Sequence, residues 1–239
     1  MAIDLDGIIF GQIFGDNSSN NDPSSDTEFD SDGDGTATQE DEFVSITNTT
    51  GAPMDISGWQ IWSDASGTNA PDPEQDGLYH TFPPGSVLEP GETLWIINEI
   101  TGTPPEWAQE ASEGGVESGP GGENTNFLSE GNIKPKAESV ALVNPQTGEY
   151  IVFNMSPNPP EIQNLPGFPG TDPVGVVDGH SVQDDMAAGF SYQYDEATDS
   201  YIYAEAFVPC FAAGTLVATP DGPRAVETLV EGDLVDTLD

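Results

Sequence analysis

The sequence predicts an all-β protein, folded as a two-sheet sandwich with long acidic loops. Glycine and proline are abundant, with 27 and 21 residues. No segment repeats apolar residues at the spacing of an amphipathic helix over three turns. Short apolar or alternating runs recur instead between turn signals, which is typical of strands that pack face to face. With 239 residues, the chain is long enough to bury a sizeable core.

The predicted strands follow one another between polar segments. They cover residues 8–14, 42–47, 58–63, 93–98, 139–143, 150–154 and 201–207, and one more covers 215–219 after the only cysteine. The polar segments 17–26, 63–77 and 101–126 are expected to be surface loops, the last of them a candidate disordered insertion. Its one aromatic residue, Trp107, either contacts a partner or folds back onto the sheet.

Negative charge dominates the composition. Asp and Glu number 43 against three Lys and Arg, which gives a formal net charge of -40. Self-repulsion of this size opposes a compact state unless cations bind or screen it. Nucleic acid and anionic membrane surfaces are therefore unfavourable partners. Two explanations stay open: bound divalent cations, or an acidic surface suited to saline surroundings.

One acidic segment has the spacing of a calcium loop. Residues 30–41 read DSDGDGTATQED, and Gly35 falls at position 6, where an EF-hand loop turns sharply. The predicted ligands at positions 1, 3, 5, 7 and 12 are Asp30, Asp32, Asp34, the carbonyl of Thr36, and Asp41. Asp replaces the usual bidentate Glu at position 12, and a strand rather than a helix follows. We expect a structural calcium site; the alternative is a solvated acidic turn without an ion.

The region before Cys210 resembles a known family. The segments DEFVSITNTTGAPMDISGWQIWSD, HTFPPGSVLEPGETLWIIN and ESVALVNPQTGEYIVFN resemble the lamin tail domain of secreted and surface bacterial proteins, with Ile56 and Trp59 entering the core. The resemblance implies that residues 1–209 form an immunoglobulin-like β-sandwich used for structure or for binding an unknown protein or surface ligand. The family has no catalytic residues to transfer.

The segment from Cys210 onward resembles a second family. CFAAGTLVATPDGPRAVETLVEGDLV looks like the opening of a bacterial Hint domain, the hedgehog and intein self-processing fold, so residues 210–239 are expected to be an incomplete Hint β-fold. The resemblance implies that Cys210 is the nucleophile that attacks the carbonyl of Pro209 and forms a thioester. The family's basic Thr-x-x-His motif lies further along, so autocatalytic cleavage or splicing is expected only of a longer form. Enzyme activity of this chain therefore stays undecided.

Other features decide little about function. A single cysteine forms no disulfide within the chain. The amino terminus has no basic region or long apolar run, and thus no recognisable signal peptide. The lamin tail resemblance implies a secreted or cell-surface bacterial protein. The two histidines, His80 and His180, have no second histidine or cysteine at metal-binding spacing, and we expect them at turns or strand edges.

Overall fold

The fold is all-β, as predicted. The computed structural model describes residues 3–15, 29–33, 35, 37, 41–64, 76–113, 139–156, 162–183, 189–209, 216–217, 219–220, 224–225 and 234. The strands are β1 (Ile8–Phe14), β2 (Phe43–Asn48), β3 (Met54–Asp55), β4 (Gln60–Asp64), β5 (Gly77–Thr81), β6 (Val87–Leu88), β7 (Thr93–Ile97), β8 (Ala108–Glu110), β9 (Ser139–Val143), β10 (Glu149–Asn154), β11 (Asp172–Asp178), β12 (Phe190–Asp195), β13 (Ser200–Glu205), β14 (Leu216–Val217) and β15 (Arg224–Ala225). Among these residues no helix has the length and apolarity that crossing a membrane requires.

Two large sheets form the sandwich. One has six strands in the order β13-β12-β1-β2-β7-β8, and the other has five in the order β11-β10-β9-β4-β5. Most neighbours are antiparallel, but β8 joins β7 and β11 joins β10 in parallel. β3 pairs with β6 and β14 with β15 in two small ribbons. The chain thus uses mainly antiparallel pairing, which short turns can connect.

The main core lies between the two large sheets. Phe153 of the five-stranded sheet contacts Phe10 and Tyr192 of the six-stranded sheet, with ring centroids 6.1 and 5.2 Å apart. Ile56 and Trp59, which the sequence predicts to be core residues, are buried in the same cluster. Burial of these large side chains removes apolar surface from water and is the main force that holds the sheets together.

Smaller apolar clusters cover the outer faces of both sheets. On the five-stranded sheet, the segment after a short 3-10 helix at Ile162–Asn164 brings Phe168 against Trp62 and Tyr150, at centroid distances of 5.5 and 5.1 Å. On the six-stranded sheet, Phe14, Phe43 and Trp95 form a second cluster. Each sheet therefore buries apolar residues on both faces, which explains its long runs of consecutive buried residues.

The strands predicted from the sequence are all present, with small shifts at their ends. Residues 8–14 and 139–143 match exactly, and 58–63 is displaced to Gln60–Asp64. The segment PQTG between β9 and β10 forms a turn: Gly148 has a φ of +80°, and its amide donates to the carbonyl of Asn144. The strands β3, β5, β6, β8, β11, β12 and β15 were not predicted.

The segment 101–126 differs in part from the expected surface loop. Its described half contains β8, which pairs with β7 and extends the six-stranded sheet. Trp107 folds back: its ring stands 5.8 Å from that of Trp95, and its carbonyl accepts a hydrogen bond from the Trp95 amide. This strand was not predicted, because its three residues are too few to show a strand pattern in the sequence. Residues 114–126 lie outside the described part of the chain, as do 17–26 and most of 63–77.

We predict that Ile56→Ala lowers the free energy of unfolding by about 2–5 kcal/mol, because it leaves a cavity in the main core. The matched control is Val87→Ala on the neighbouring ribbon, where the side chain is 45% exposed. We expect this change to stay within about 0.5 kcal/mol. Urea unfolding followed by tryptophan fluorescence measures both. Equal effects of the two substitutions would contradict the assigned core.

Candidate functional site

The acidic loop brings together carboxylates that are up to eleven positions apart in the sequence. Asp30, Asp32 and Asp41 each offer one carboxylate oxygen, and these oxygens lie within 4.8 Å of one another. They are the predicted ligands at positions 1, 3 and 12. Asp34 and Thr36, the predicted ligands at positions 5 and 7, lie outside the described residues. The loop thus has three hard oxygen donors in a common space.

Two glycines give the loop its curvature. Gly33 and Gly35 have φ angles of +78° and +94°, a conformation that side chains disfavour. Their amides donate to the two oxygens of Asp30, at 2.7 and 2.8 Å. The backbone therefore wraps around the first carboxylate of the loop. Gly35 occupies the turning position that the sequence predicts for it.

Asp41 is the buried member of the group. Its side chain is 3% exposed, and its Oδ1 accepts hydrogen bonds from the Ser31 amide at 2.7 Å and the Ser31 hydroxyl at 3.1 Å. Burying a carboxylate near two others is unfavourable unless donors or a cation compensate for it. The donors named here satisfy one oxygen of Asp41. A cation held by all three residues would also offset their mutual repulsion.

The loop is fastened to the sandwich at several points. The amide of Thr101 donates to Oδ2 of Asp32 at 2.6 Å, which ties the loop to the segment between β7 and β8. Phe29, next to the first loop residue, packs edge-on against Phe14 of β1 at 5.9 Å. β2 begins at Phe43, directly after the loop, as predicted. An ion in this loop would therefore join β1, β2 and the β7–β8 connection.

A second feature lies where the chain leaves the sandwich. Gln12 of β1 is almost fully buried. Its amide nitrogen donates to the carbonyl of Phe207 at 2.9 Å, and its amide oxygen accepts from the Phe207 amide at 3.1 Å. The Gln12 side chain thus pairs with Phe207 as a neighbouring strand would. The residues just before Pro209 are fixed to the sheet in this way.

A polar network supports this contact. The hydroxyl of Ser191 donates to the Gln12 oxygen at 2.7 Å, and Nε2 of Gln193 donates to the carbonyl of Glu205 at 2.6 Å. Sequence reasoning missed Gln12, although its signal is visible: it is the one polar side chain inside the apolar run IIFGQIF. Buried polar side chains need partners. Here the partner is Phe207, in residues 206–209 just before Cys210, which we call the exit segment.

The predicted nucleophile, Cys210, lies outside the described residues, so the structure leaves its role a prediction. Just beyond it, β14 pairs antiparallel with β15, with Leu216 opposite Ala225. This hairpin agrees with the predicted strand at 215–219.

His80 is a structural residue rather than a ligand in this arrangement. It lies on β5, the edge strand of its sheet, and is buried. The Ser112 amide donates to its Nδ1 at 3.1 Å, so Nε2 carries the proton and donates to Oε1 of Gln109 at 3.0 Å. Burial lowers the pKa of His80 to about 4, and the hydrogen bond to Gln109 opposes that shift only in part.

These observations define the class of protein first. Two face-packed sheets with an acidic loop at one end make an immunoglobulin-like β-sandwich module. The chain belongs to the lamin tail domain family, because the family model described as Lamin Tail Domain matches residues 17–155. A second model, described as Hint domain, matches residues 209–239. No curated protein matches the chain.

The two family matches confirm both resemblances drawn from the sequence. The matched lamin tail region ends at Met155, yet the sheets continue beyond it. β1 precedes this region and β12 and β13 follow it, and together they form half of the six-stranded sheet. The sandwich of this chain is therefore larger than the matched region alone.

We predict that His80 destabilises the fold in acid. Its pKa is lowered from 6.5 to about 4 in the folded state, so the unfolded chain binds more protons between these values. The contribution of neutral His80 to the free energy of unfolding is fully present above pH 6.5. It is lost as the pH falls to about 4, and the loss is about 3 kcal/mol in total.

Urea unfolding at several pH values tests this prediction. His80→Gln should flatten the pH dependence between pH 6.5 and 4, while the control His180→Gln should leave it in place. The same slope in His80→Gln as in the unaltered protein would show that His80 does not cause it.

Proposed function

We propose that this chain is a structural or binding β-sandwich module of a bacterial cell surface or secreted protein, stabilised by calcium in the 30–41 loop and joined to a Hint domain. The observation that carries the calcium part is the convergence of the Asp30, Asp32 and Asp41 oxygens within 4.8 Å. Calcium takes six to eight oxygen ligands in flexible geometry. Asp34 and the Thr36 carbonyl would complete the set.

Charge favours calcium at this site. The whole chain has three Lys and Arg, namely Lys134, Lys136 and Arg224, and none of them belongs to the 30–41 loop. Three carboxylates close together therefore gain most from a divalent cation. Magnesium demands a near-ideal octahedron and gives up its water reluctantly, so a curled loop of carboxylates and a carbonyl suits calcium better. The role is structural, because the ion would join the loop to strands of the sandwich.

An extracellular location agrees with this chemistry. Extracellular calcium modules bind with Kd values of about 10⁻⁴–10⁻³ M, which suits the calcium concentrations found outside cells. A single cysteine gives no disulfide framework, so a bound ion is an available means of cross-linking the loop. The strong negative charge makes nucleic acid an unfavourable partner.

The second candidate function is self-processing at the Pro209–Cys210 bond, and the Hint match at residues 209–239 favours it. The Cys210 thiolate would attack the carbonyl carbon of Pro209. The bond from that carbon to the Cys210 nitrogen would break, the nitrogen would take up a proton, and a thioester would join Pro209 to the Cys210 sulfur. Water or another nucleophile would then release the sandwich from the sulfur. A base and an oxyanion donor from elsewhere in a complete Hint domain are required.

We predict that calcium raises the melting temperature of the chain. At a calcium concentration about 100 times Kd the stabilisation is about 2.7 kcal/mol, which corresponds to roughly 5–10 °C for a protein of this size. Asp30→Asn combined with Asp32→Asn should abolish the rise, because Asn keeps an acceptor for the loop amides but removes the charge. Differential scanning calorimetry and calorimetric titration, with a stoichiometry of one, measure these effects.

The control for this experiment is Asp172→Asn, at an exposed position of β11 on the other sheet. It should keep the full calcium response. Sodium chloride at matched ionic strength separates screening from binding. A melting temperature that calcium leaves unchanged in the unaltered protein would contradict the site, and a response that survives the double substitution would assign the ion to another place.

We predict that the full-length gene product is cleaved at the Pro209–Cys210 bond and that Cys210→Ala abolishes the cleavage. Intact mass spectrometry measures both, and hydroxylamine should accelerate release by attacking the thioester. Cys210→Ser serves as the second variant, because it keeps the size of the side chain and slows the reaction. Cleavage that continues in Cys210→Ala would overturn this function and leave the calcium site unaffected.

A further inference from the structure

A groove of about 450 Å³ lies on the outer face of the six-stranded sheet, and none of the acidic loop carboxylates is among its lining residues. We call it the sheet groove. Strands β1, β2 and β7 contribute to it, and Phe207 of the exit segment lines it as well. Its volume falls within the range of small-molecule sites. Neither the lamin tail match nor the Hint match assigns a role to it.

Gly11 keeps the floor of the groove open. It sits at a bulge, where the pairing of β1 with β2 shifts between Phe10 and Gln12. A Cβ atom at Gly11 would stand 2.7 Å from the Thr47 hydroxyl oxygen and 2.9 Å from that of Ser45. Any larger residue would therefore collide with both side chains. Glycine inside a strand often marks a place where a ligand approaches the backbone closely.

Hydroxyl groups line the floor beside Gly11. The hydroxyls of Thr47 and Thr93 lie 2.8 Å apart across β2 and β7, and each is both donor and acceptor. The hydroxyl of Ser45, whose residue is buried, stands next to the same glycine. This floor offers hydrogen bonds to a ligand that itself has many hydroxyl groups.

Trp95 adds an independent sign of a ligand. It lines the groove and is 7% exposed, and its indole N–H has no hydrogen-bond partner among the described residues. A buried donor without an acceptor costs about 1–3 kcal/mol, and native proteins rarely leave one in place. Phe207, the neighbouring ring at 6.5 Å, is 51% exposed and can move aside at little cost in buried area. A ligand oxygen beside Trp95 would then supply the missing acceptor.

Charge restricts the class of ligand. Among the residues that the structure describes, Glu196 lines the groove and no Lys or Arg does, and the chain carries a net charge of -40. Phosphates and carboxylates are therefore repelled. A cationic ligand would suit the charge but would leave the Trp95 N–H without an acceptor. A neutral ligand rich in hydroxyl oxygens meets both requirements.

The position of the groove on the sheet favours a saccharide over a peptide as its ligand. Extended peptides bind by adding a strand to a sheet edge, where backbone amides and carbonyls are unpaired. The groove lies over β1, β2 and β7, and β2 pairs with a strand on each side. A peptide backbone would find few partners there. Sugar rings use hydroxyl groups and the apolar faces of aromatic rings, both of which the groove provides.

We propose that the sheet groove binds a neutral saccharide, with hydroxyl contacts to Thr47 and Thr93, an oxygen on the Trp95 N–H, and a sugar face against Phe207. This inference rests on the proposed role as a binding module and names its ligand class. It uses neither the calcium loop nor Cys210. Its failure would therefore leave those two parts of the proposed function standing.

Calorimetric titration of the complete chain with xylotriose, cellotriose, maltotriose and chitotriose tests the proposal. At least one is expected to bind, and trigalacturonate is expected not to bind because of its charge. Thr47→Val removes the hydroxyl and keeps the shape of the side chain, and Trp95→Phe removes the indole N–H and keeps a smaller aromatic ring, so each should weaken binding by about two- to tenfold.

The matched control is Trp62→Phe. It removes an indole N–H from the other sheet, where that group donates to Gln60, and binding should stay unchanged. If Trp95→Phe loses stability, Thr47→Val and the shift of the Trp95 indole proton in nuclear magnetic resonance spectra decide the question. No binding of any neutral trisaccharide at 10 mM, equal affinity in Trp95→Phe and Trp62→Phe, or binding of an extended peptide instead would each overturn the proposal.

Discussion

The arrangement of this protein depends on the position of β1 inside the six-stranded sheet. β1 pairs with β2 on one side and with β12 on the other. It thereby joins the strands that follow the acidic loop to the strands that precede Pro209. Alternate residues of β1 serve different surfaces: Ile8, Phe10 and Ile13 enter the main core, while Gln12 fixes the exit segment. Because β1 is hydrogen-bonded to a strand on each side, both pairings fix its register and hold each of these residues in place.

The fold also has to overcome its own charge. A net charge of -40 favours an expanded chain, and hydrophobic burial between and outside the sheets opposes this. Apolar residues on both faces of each sheet increase the buried area beyond that of a sandwich with solvated outer faces. Asp41, Glu42, Asp64 and Asp76 are buried acidic residues. Asp41 also lies close to two other carboxylates, so it combines burial with the close approach of like charges.

Structural features with a local signal in the sequence were predictable, and features that depend on contacts between distant segments were not. Strands such as 139–143 were predictable because a short apolar run between turns is a local signal. β11 was not predicted, since it starts with Asp172 and Pro173 and pairs in parallel with β10, which only the tertiary arrangement decides. The acidic loop was recognisable because its predicted ligands follow one spacing. The sheet groove was not, because Gly11, Thr47, Thr93 and Phe207 come from four separate segments.

The pairing of Gln12 with Phe207 has a mechanical consequence. Only Val208 and Pro209 separate this contact from Cys210, so a pulling force on the chain beyond Pro209 reaches the sandwich through Val208, which packs against the second cluster, and through Phe207. The Gln12 amide passes the load to β1, and β13 passes it to β12, so that several strands of one sheet share it. Tension on a tether attached at this end is thereby distributed across the sheet rather than concentrated in one edge strand.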